Sequence, residues 1–315
     1  MAPLKVSVHI VTFNSADDIE ACLESLRRQT LPDFRIRVFD NASTDATIEK
    51  LKPADAGIIR SAVNTGFSKA HNVLIRDSQS EYVLVLNPDT ILRPDFIETL
   101  VHGLDSRPDA GSAGGKLLRL DNITLDSTGI IMLRSQRHLD RGAGQPDAGQ
   151  FDRPEDIFGP SAAAAMYRRT ALDDACVLDE YFDEDFFAYR EDADLAWRLR
   201  LLGWNSIYVP SAVAQHRRRV TPERRSQLPP MINYHSVKNR FLLRLNNMTP
   251  DLYRRDFWRI TGRDVMVASY VLLREWSSAP ALAYVVRHWQ RLWRKRRLIQ
   301  SRVRVRPGEL ARWFN

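Results

Sequence analysis

The sequence predicts an α/β protein: a mostly parallel sheet with helices on both faces, followed by a basic α-helical module at the C-terminus. Three observations carry that prediction. Apolar runs of strand length alternate with amphipathic stretches of helix length as far as Asp105, polar residues stand at the carboxyl end of each run, and positive charge concentrates after Asn246. Strands separated by helices of this length imply right-handed βαβ units and a sheet covered on both sides.

Val6–Val11 reads as the first strand. Ile19, Cys22, Leu23 and Leu26 then recur at i, i+3, i+4 and i+7, the apolar stripe of a helix that must stop before Leu31-Pro32. Ile36, Val38 and Phe39 form a second strand, closed by Asp40-Asn41-Ala42-Ser43-Thr44-Asp45, a turn and helix-capping pattern. A helix follows to about Leu51, then a short strand at Ile58-Ile59 and a helix over Phe67–Asp77. Tyr82–Leu86 is a continuous apolar run, which suits a strand buried on both faces. It stops at Asn87-Pro88-Asp89, because proline cannot donate to a sheet ladder. Phe96, Ile97, Leu100, Val101 and Leu104 place another helix over Asp95–Asp105.

The polar residues at these strand ends share one edge of the predicted sheet, where open α/β folds collect their ligands. They are Thr12 and Asn14 after the first strand, Asp40 after the second, Asn64 and Gly66 after the third, and Asn87 and Asp89 after the fourth. Asp40 suits a hydrogen bond from a base or ribose, or an ordinary turn. Gly66 allows a backbone to approach a ligand closely, or supplies a positive φ. Taken together, the four loops describe a nucleotide crevice.

Composition narrows the class. At 315 residues and 44% hydrophobic, the chain buries a large core. Cys22 and Cys176 alone cannot build a disulfide framework or a thiolate metal site, so a reducing cytosol is the expected compartment. Val6–Phe13 is too short for an export signal, and Val265–Leu273 and Trp276–Val286 fall short of the ~18 apolar residues that span a bilayer. The net charge of +7 is uneven: Asn246–Asn315 holds fifteen Lys/Arg against five Asp/Glu, leaving the first 245 residues at about −3. A boundary therefore falls near residue 245, with a body over 1–245 and a basic tail over 246–315.

The ordered motifs Val11-Thr12-Phe13-Asn14, Asp40–Asp45, Asn64-Thr65-Gly66-Phe67 and Leu86-Asn87-Pro88-Asp89 resemble the inverting family 2 glycosyltransferases of GT-A fold. Phe182–Phe187, Tyr189–Asp194, Arg198–Trp204 and Val209-Pro210 followed by His216 extend the likeness, particularly to the bacterial rhamnosyltransferase-like branch, over residues 5–245. The resemblance implies a nucleotide-sugar-binding half over 1–117 and an acceptor-binding, catalytic half over 118–245. It gives Asp89 a Mg²⁺ or Mn²⁺ on the departing diphosphate, oxygen ligands of the kind those cations take. Asn87 stands where many members have aspartate. Asp192 becomes the general base, with Glu191 beside it, at the start of a helix whose dipole favours negative charge. His216 is expected near the metal or diphosphate, Arg217-Arg218-Arg219 near phosphates or an anionic head group, and Arg198 and Trp204 on the acceptor side. Leu118–Phe158, rich in Gly, Asp and Arg, is expected to be a mobile acceptor-facing loop or hairpin, and Gly159–Met166 resembles the segment near the acceptor.

The implied donor is a nucleotide sugar, dTDP-L-rhamnose first and a UDP-sugar (hexose, N-acetylhexosamine or galactofuranose) as the alternative; a non-catalytic sugar-nucleotide or glycan binder is the reading from another class. The implied acceptor is a glycan or lipid-linked saccharide of bacterial cell-surface polysaccharide synthesis. The tail interleaves Trp258, Trp289 and Trp293 with arginines, a pattern that favours the interface of an anionic membrane. That reading places the protein peripherally on the inner face of the cell membrane. The same pattern suits helices packed on the body or a homodimer interface. No nucleic-acid-binding motif is visible, so no nucleic acid partner is expected.

Overall fold

The computed structural model describes residues 4–52, 56–218 and 229–315. In chain order the donor-side elements are β1 (Leu4–Thr12), α1 (Ile19–Arg27), β2 (Phe34–Asp40), α2 (Thr47–Leu51), β3 (Ala56–Arg60), α3 (Phe67–Arg76), β4 (Ser80–Leu86), β5 (Thr90–Leu92) and α4 (Phe96–Asp105). Then come β6 (Ala110–Leu118), β7 (Leu125–Ser127), β8 (Ile130–Met132), β9 (His138–Asp140), β10 (Glu155–Asp156), β11 (Ala164–Arg168), α5 (Arg169–Ala175), α6 (Glu191–Leu201) and β12 (Asn205–His216). The C-terminal helices are α7 (Pro230–Asn247), α8 (Pro250–Arg274), α9 (Ala279–Arg287), α10 (Trp289–Gln300) and α11 (Pro307–Ala311).

The main sheet runs β10-β12-β6-β11-β4-β1-β2-β3, with β5 added to β12 and β7 to β6. Strands β4, β1, β2 and β3 are mutually parallel, as the alternation of strand and helix predicted. Val6, Val8 and Ile10 of β1 and all of Tyr82–Leu86 are fully buried, which accounts for the unbroken apolar run. The predicted helices form, each with its apolar stripe on the sheet.

Strand β11 departs from the parallel pattern. It lies antiparallel to both β4 and β6 and so joins the two halves of the sheet. Arg168 at its end donates to the carbonyls of Leu104, Arg107 and Ala110, and Arg169 to those of Ile75 and Ser78. The two guanidiniums thus satisfy backbone acceptors around the ends of α3 and α4. The segment after β6 holds short strands, of which β8 and β9 make a separate two-stranded hairpin.

The C-terminal helices pack on the body through buried polar groups. Asp194 of α6, fully buried, binds Arg198 within its own helix and the side-chain amides of Asn246 and Asn247 at the end of α7. Lys295 of α10 reaches inward to Glu180 at 2.7 Å, Asp183 at 2.5 Å and Asp185 at 2.8 Å. Three acids of the Phe182–Phe187 segment and its flank are therefore neutralised from the tail. Among the described residues no helix is long and apolar enough to cross a membrane.

Replacing that lysine tests the packing. Lys295→Met should destabilise the protein by about 3–5 kcal/mol, because the buried Asp183 loses its ion pair while Glu180 and Asp185 keep only Arg291. Urea denaturation followed by tryptophan fluorescence measures it, and an unchanged midpoint would show that those acids are solvated.

Candidate active site

Backbone pairing brings the most distant predicted residues together. Strand β12 lies antiparallel to β5 with His216 opposite Thr90, which sets His216 beside Asp89, and the Arg217 N–H donates to the Asp89 carbonyl at 3.0 Å. His216 Nε2 is 3.3 Å from Asp89 Oδ1, and its Nδ1 is 2.7 Å from Oδ2 of Asp126 on β7. Burial alone would depress the imidazole, but the hydrogen bonds and charges of Asp126 and Asp89 raise its pKa to about 9. Asp126 is wholly buried; burial would raise its carboxyl, yet His216 and Arg218 hold it below the ordinary range. Arg218 continues the line, with Nε 2.6 Å from Asp126 and one terminal nitrogen 2.7 Å from Asp140 of β9. Arg217 pairs with Asp18 at 3.2 Å, while Arg219 lies outside the described residues.

Asp89 is mostly buried, and its Oδ1 has no hydrogen bond of good geometry among the described residues. A carboxylate oxygen left open next to an imidazole whose other nitrogen is fixed by a buried carboxylate is the pattern of a metal-binding His–Asp pair. No group of three or more His, Cys, Asp or Glu that could hold a metal by itself exists among the described residues. A cation at Asp89 would thus take its remaining ligands from substrate oxygens or water.

The second acidic centre is built by strained backbone. Helix α6 opens at Arg190 with φ 73°, preceded by Tyr189 at 72° and Phe187 at 66°, all in the left-handed region and none of them glycine. Such residues cost of order 1–3 kcal/mol each and persist only where their surroundings hold them. Here Nδ2 of Asn239, from α7, sits 3.0, 2.7 and 2.7 Å from the carbonyls of Phe186, Ala188 and Tyr189. His235 of the same helix stacks on the Phe187 ring at 4.7 Å. The turn delivers Glu191 and Asp192, and among the described residues no basic side chain is bonded to either carboxylate. Asp192 accepts from the Ala193 N–H at 2.7 Å and the Ala162 N–H at 3.3 Å. Burial, then the charge of Asp140, push its pKa up to about 6 against those hydrogen bonds. Glu191, buried beside it, is pushed well above the carboxylate range by burial and by Asp192.

The predicted donor-side residues line the sheet edge. Asp40 is fully buried; Oδ1 accepts from Thr12 Oγ1 at 3.0 Å and Oδ2 from the Ser43 N–H at 3.1 Å. Asn14 (φ 50°) accepts from the Thr44 N–H at 2.9 Å, tying the first two loops together. Asn64 accepts from the Gly66 N–H at 2.9 Å. Gly66 has φ 84°, and a Cβ there would stand 2.6 Å from the Phe187 carbonyl oxygen, so the donor loop and the strained turn pack directly. The Asn87 N–H donates to the Ala163 carbonyl at 2.9 Å. Arg198 and Trp204 make their contacts elsewhere, the first with Asp194 and the carbonyls of Ala175 and Tyr181, the second with Asp174.

Asp126, Asp140 and Asn239 were not singled out in the sequence. A lone acid in the apolar stretch around Leu125-Asp126-Ser127 was the available signal for the first. Asn239, inside a helix, gave none.

A parallel sheet with loops gathered at its carboxyl edge, and acids supplied from a second half, is the architecture of GT-A glycosyltransferases. Solved structures share it: GalNAc-T7 with UDP, GalNAc and Mn²⁺ superposes with a TM-score of 0.61 at 11% identity, over 80% of this chain and 50% of that one. Residues 1–349 of S. aureus TarS with UDP-GlcNAc superpose at 0.57 and 16% identity, over 94% of this chain and 90% of that one. At these identities the likeness shows the fold. The family described as glycosyl transferase family 2 matches residues 7–175, and the chain belongs to it, in the rhamnosyltransferase-like branch. The N-acetylglucosaminyl-diphospho-decaprenol L-rhamnosyltransferase of Mycobacterium tuberculosis is 28% identical over 230 residues, 65% of this chain and 74% of that protein.

Removing the amide that clamps the strained turn should be felt in the fold. Asn239→Ala leaves buried carbonyls without a donor and should cost about 1–3 kcal/mol. Chemical denaturation reads this directly, and wild-type stability would show that the turn holds its own conformation.

Proposed function

We propose that this chain is a metal-dependent inverting glycosyltransferase that moves a sugar from a nucleotide sugar, dTDP-L-rhamnose first among them, to a lipid-linked acceptor. The observation that carries the reaction type is Asp192: a carboxylate with a pKa of about 6, on a turn built to present it, and with no basic side chain bonded to it among the described residues. The rhamnosyl donor and lipid-linked acceptor rest on the printed activity of the M. tuberculosis relative. A UDP-sugar donor is the second reading, since both GT-A structures above were solved with UDP or a UDP-sugar.

In this reading residues 1–117 bind the donor, 118–245 complete the acceptor side, and 246–315 form the basic module that meets an anionic membrane surface at its cytoplasmic face. Thr12, Asn14, Asp40, Asn64, Gly66 and Asn87 shape the nucleoside and diphosphate pocket. Asp89 and His216 would hold Mg²⁺ or Mn²⁺, which supplies positive charge to the departing diphosphate. Asp192 accepts the proton of the acceptor hydroxyl while that oxygen bonds the anomeric carbon. The bond from that carbon to the phosphate oxygen breaks, and its electron pair leaves with the nucleoside diphosphate. With one base and no enzymic nucleophile, configuration inverts. Glu191, buried beside it, is pushed toward its neutral form by burial and by the charge of Asp192. Arg218 holds Asp140 near Asp192, and Asp126 fixes which nitrogen His216 turns toward Asp89.

Asp192→Asn should lower kcat by about 10²–10⁴-fold with donor binding retained, the usual worth of a positioned base. Because the base must be ionised, activity should be half-maximal near pH 6, reach its full value well above it and fall about tenfold per unit below it. A log rate independent of pH from about 5 to 7, roughly the titration window of such a group, would remove Asp192 from the role. A donor panel with Mn²⁺ or Mg²⁺ tests specificity: dTDP-L-rhamnose should turn over fastest, and a chelator or Asp89→Asn should abolish turnover. Failure of a folded protein to consume any nucleotide sugar would defeat the enzymatic reading.

A further inference from the structure

A second polar site lies outside the catalytic centre, in a cleft of about 600 Å³ between α8, the turn of the β8–β9 hairpin and Asn315. Arg134 comes from the hairpin turn and Arg259 and Arg263 from successive turns of α8. Arg134 shares the buried Asp256 with Arg255, so that acid is already doubly used. Arg259 and Arg263 have no ion pair among the described residues, and Nε of Arg263 is buried without a hydrogen-bond partner. Arg137, on the same hairpin, lies near enough that burial and then the charge of Arg263 push its guanidinium down. Converging guanidiniums with one shared acid repel one another, and a bound anion is what would relieve that repulsion.

The rim is apolar. Trp258 is 82% exposed and Met266 62% exposed, both beside the cleft, an arrangement that suits an amphiphile with an anionic head and a hydrocarbon tail. The cleft also has a fixed relation to the candidate base. Strand β9 leads from the arginine-bearing turn to Asp140, whose charge acts on Asp192, a span of about 10 Å for three extended residues. We propose that Arg134, Arg259 and Arg263 bind the phosphate head of the lipid-linked acceptor, with its lipid lying over Trp258 and Met266. The identification of that lipid as the acceptor rests on the glycosyltransferase reading, whereas the phosphate site itself does not.

Co-flotation of the full chain with phosphatidylcholine vesicles carrying a polyprenyl phosphate tests it. Arg259→Ala with Arg263→Ala should weaken binding roughly thirtyfold, the worth of two basic charges at such a surface. Gly262, where an added side chain would meet open space, gives a variant that leaves the arginines in place. Gly262→Glu puts a carboxylate among them and should weaken binding as much, while circular dichroism stays unchanged. Arg294→Ala with Arg297→Ala, exposed charges on α10, serves as the control and should bind like wild type. Equal loss in that control would overturn the proposal in favour of diffuse charge, and wild-type binding by both cleft variants would overturn it outright. Release of the protein by inorganic phosphate would assign the cleft to a free anion. Equal binding to phosphatidylglycerol vesicles would refute the acceptor assignment. A dimer in light scattering that Gly262→Glu dissociates would make the cleft an interface between copies. Asp192→Asn should lose transfer but float normally, so failure of the base assignment and failure of the lipid site give different results.

Discussion

Two consecutive backbone groups set the distance between the halves of the site. Just before β11, the Ala162 N–H donates to Asp192, and the Ala163 carbonyl accepts from the Asn87 N–H and from Thr90 Oγ1. Asn87 and Thr90 bracket Asp89, so a single peptide segment is bonded to the candidate base on one side and to the residues that flank the candidate metal carboxylate on the other. Because β11 is also the antiparallel strand between β4 and β6, it cannot shift without breaking the ladder on both sides. The spacing is thus set by covalent geometry and sheet hydrogen bonds, neither of which yields easily.

The same dependence explains what could be read from the chain. Strands β1 to β4 and their helices were legible because each is a local pattern: a buried run or an apolar stripe of the right period. Asp40, Asn64, Asp89 and Asp192 were legible because their motifs resemble a family. Strand β11 was not, since Ala164–Arg168 carries no β-branched residue and its place in the sheet is decided by partners more than forty residues away in the chain. Asp126 and Asn239 were missed for the same reason. Their roles come from contacts ninety residues and about fifty residues distant, with His216 and with the turn before Glu191.

Charge counting described the tail correctly in total and incompletely in use. Lys295 is buried among acids, Arg296 donates to the carbonyls of Leu245 and Met248, and Arg302 to that of Cys176. These groups lock the module to the body and are not available to a membrane. Exposed arginines remain on α8, with the exposed Trp258, Val265, Met266 and Leu273, and on α10, at Arg294 and Arg297. A net charge of the tail therefore overstates its attraction for an anionic surface.

The line Asp89, His216, Asp126, Arg218, Asp140 alternates in sign from the donor side to the neighbourhood of Asp192. Each buried charge in it has an opposite neighbour, which is what allows so many ionised groups in one place. Its last member acts on Asp192 through charge alone. That charge raises the Asp192 pKa, and Arg218 pairs with Asp140 at 2.7 Å. Burial by itself raises Asp192, and the N–H groups of Ala162 and Ala193 pull it back. A carboxyl balanced near 6 is ionised at neutral pH yet markedly more basic than a solvated aspartate, and that combination suits it to take a proton from a sugar hydroxyl as the new bond forms.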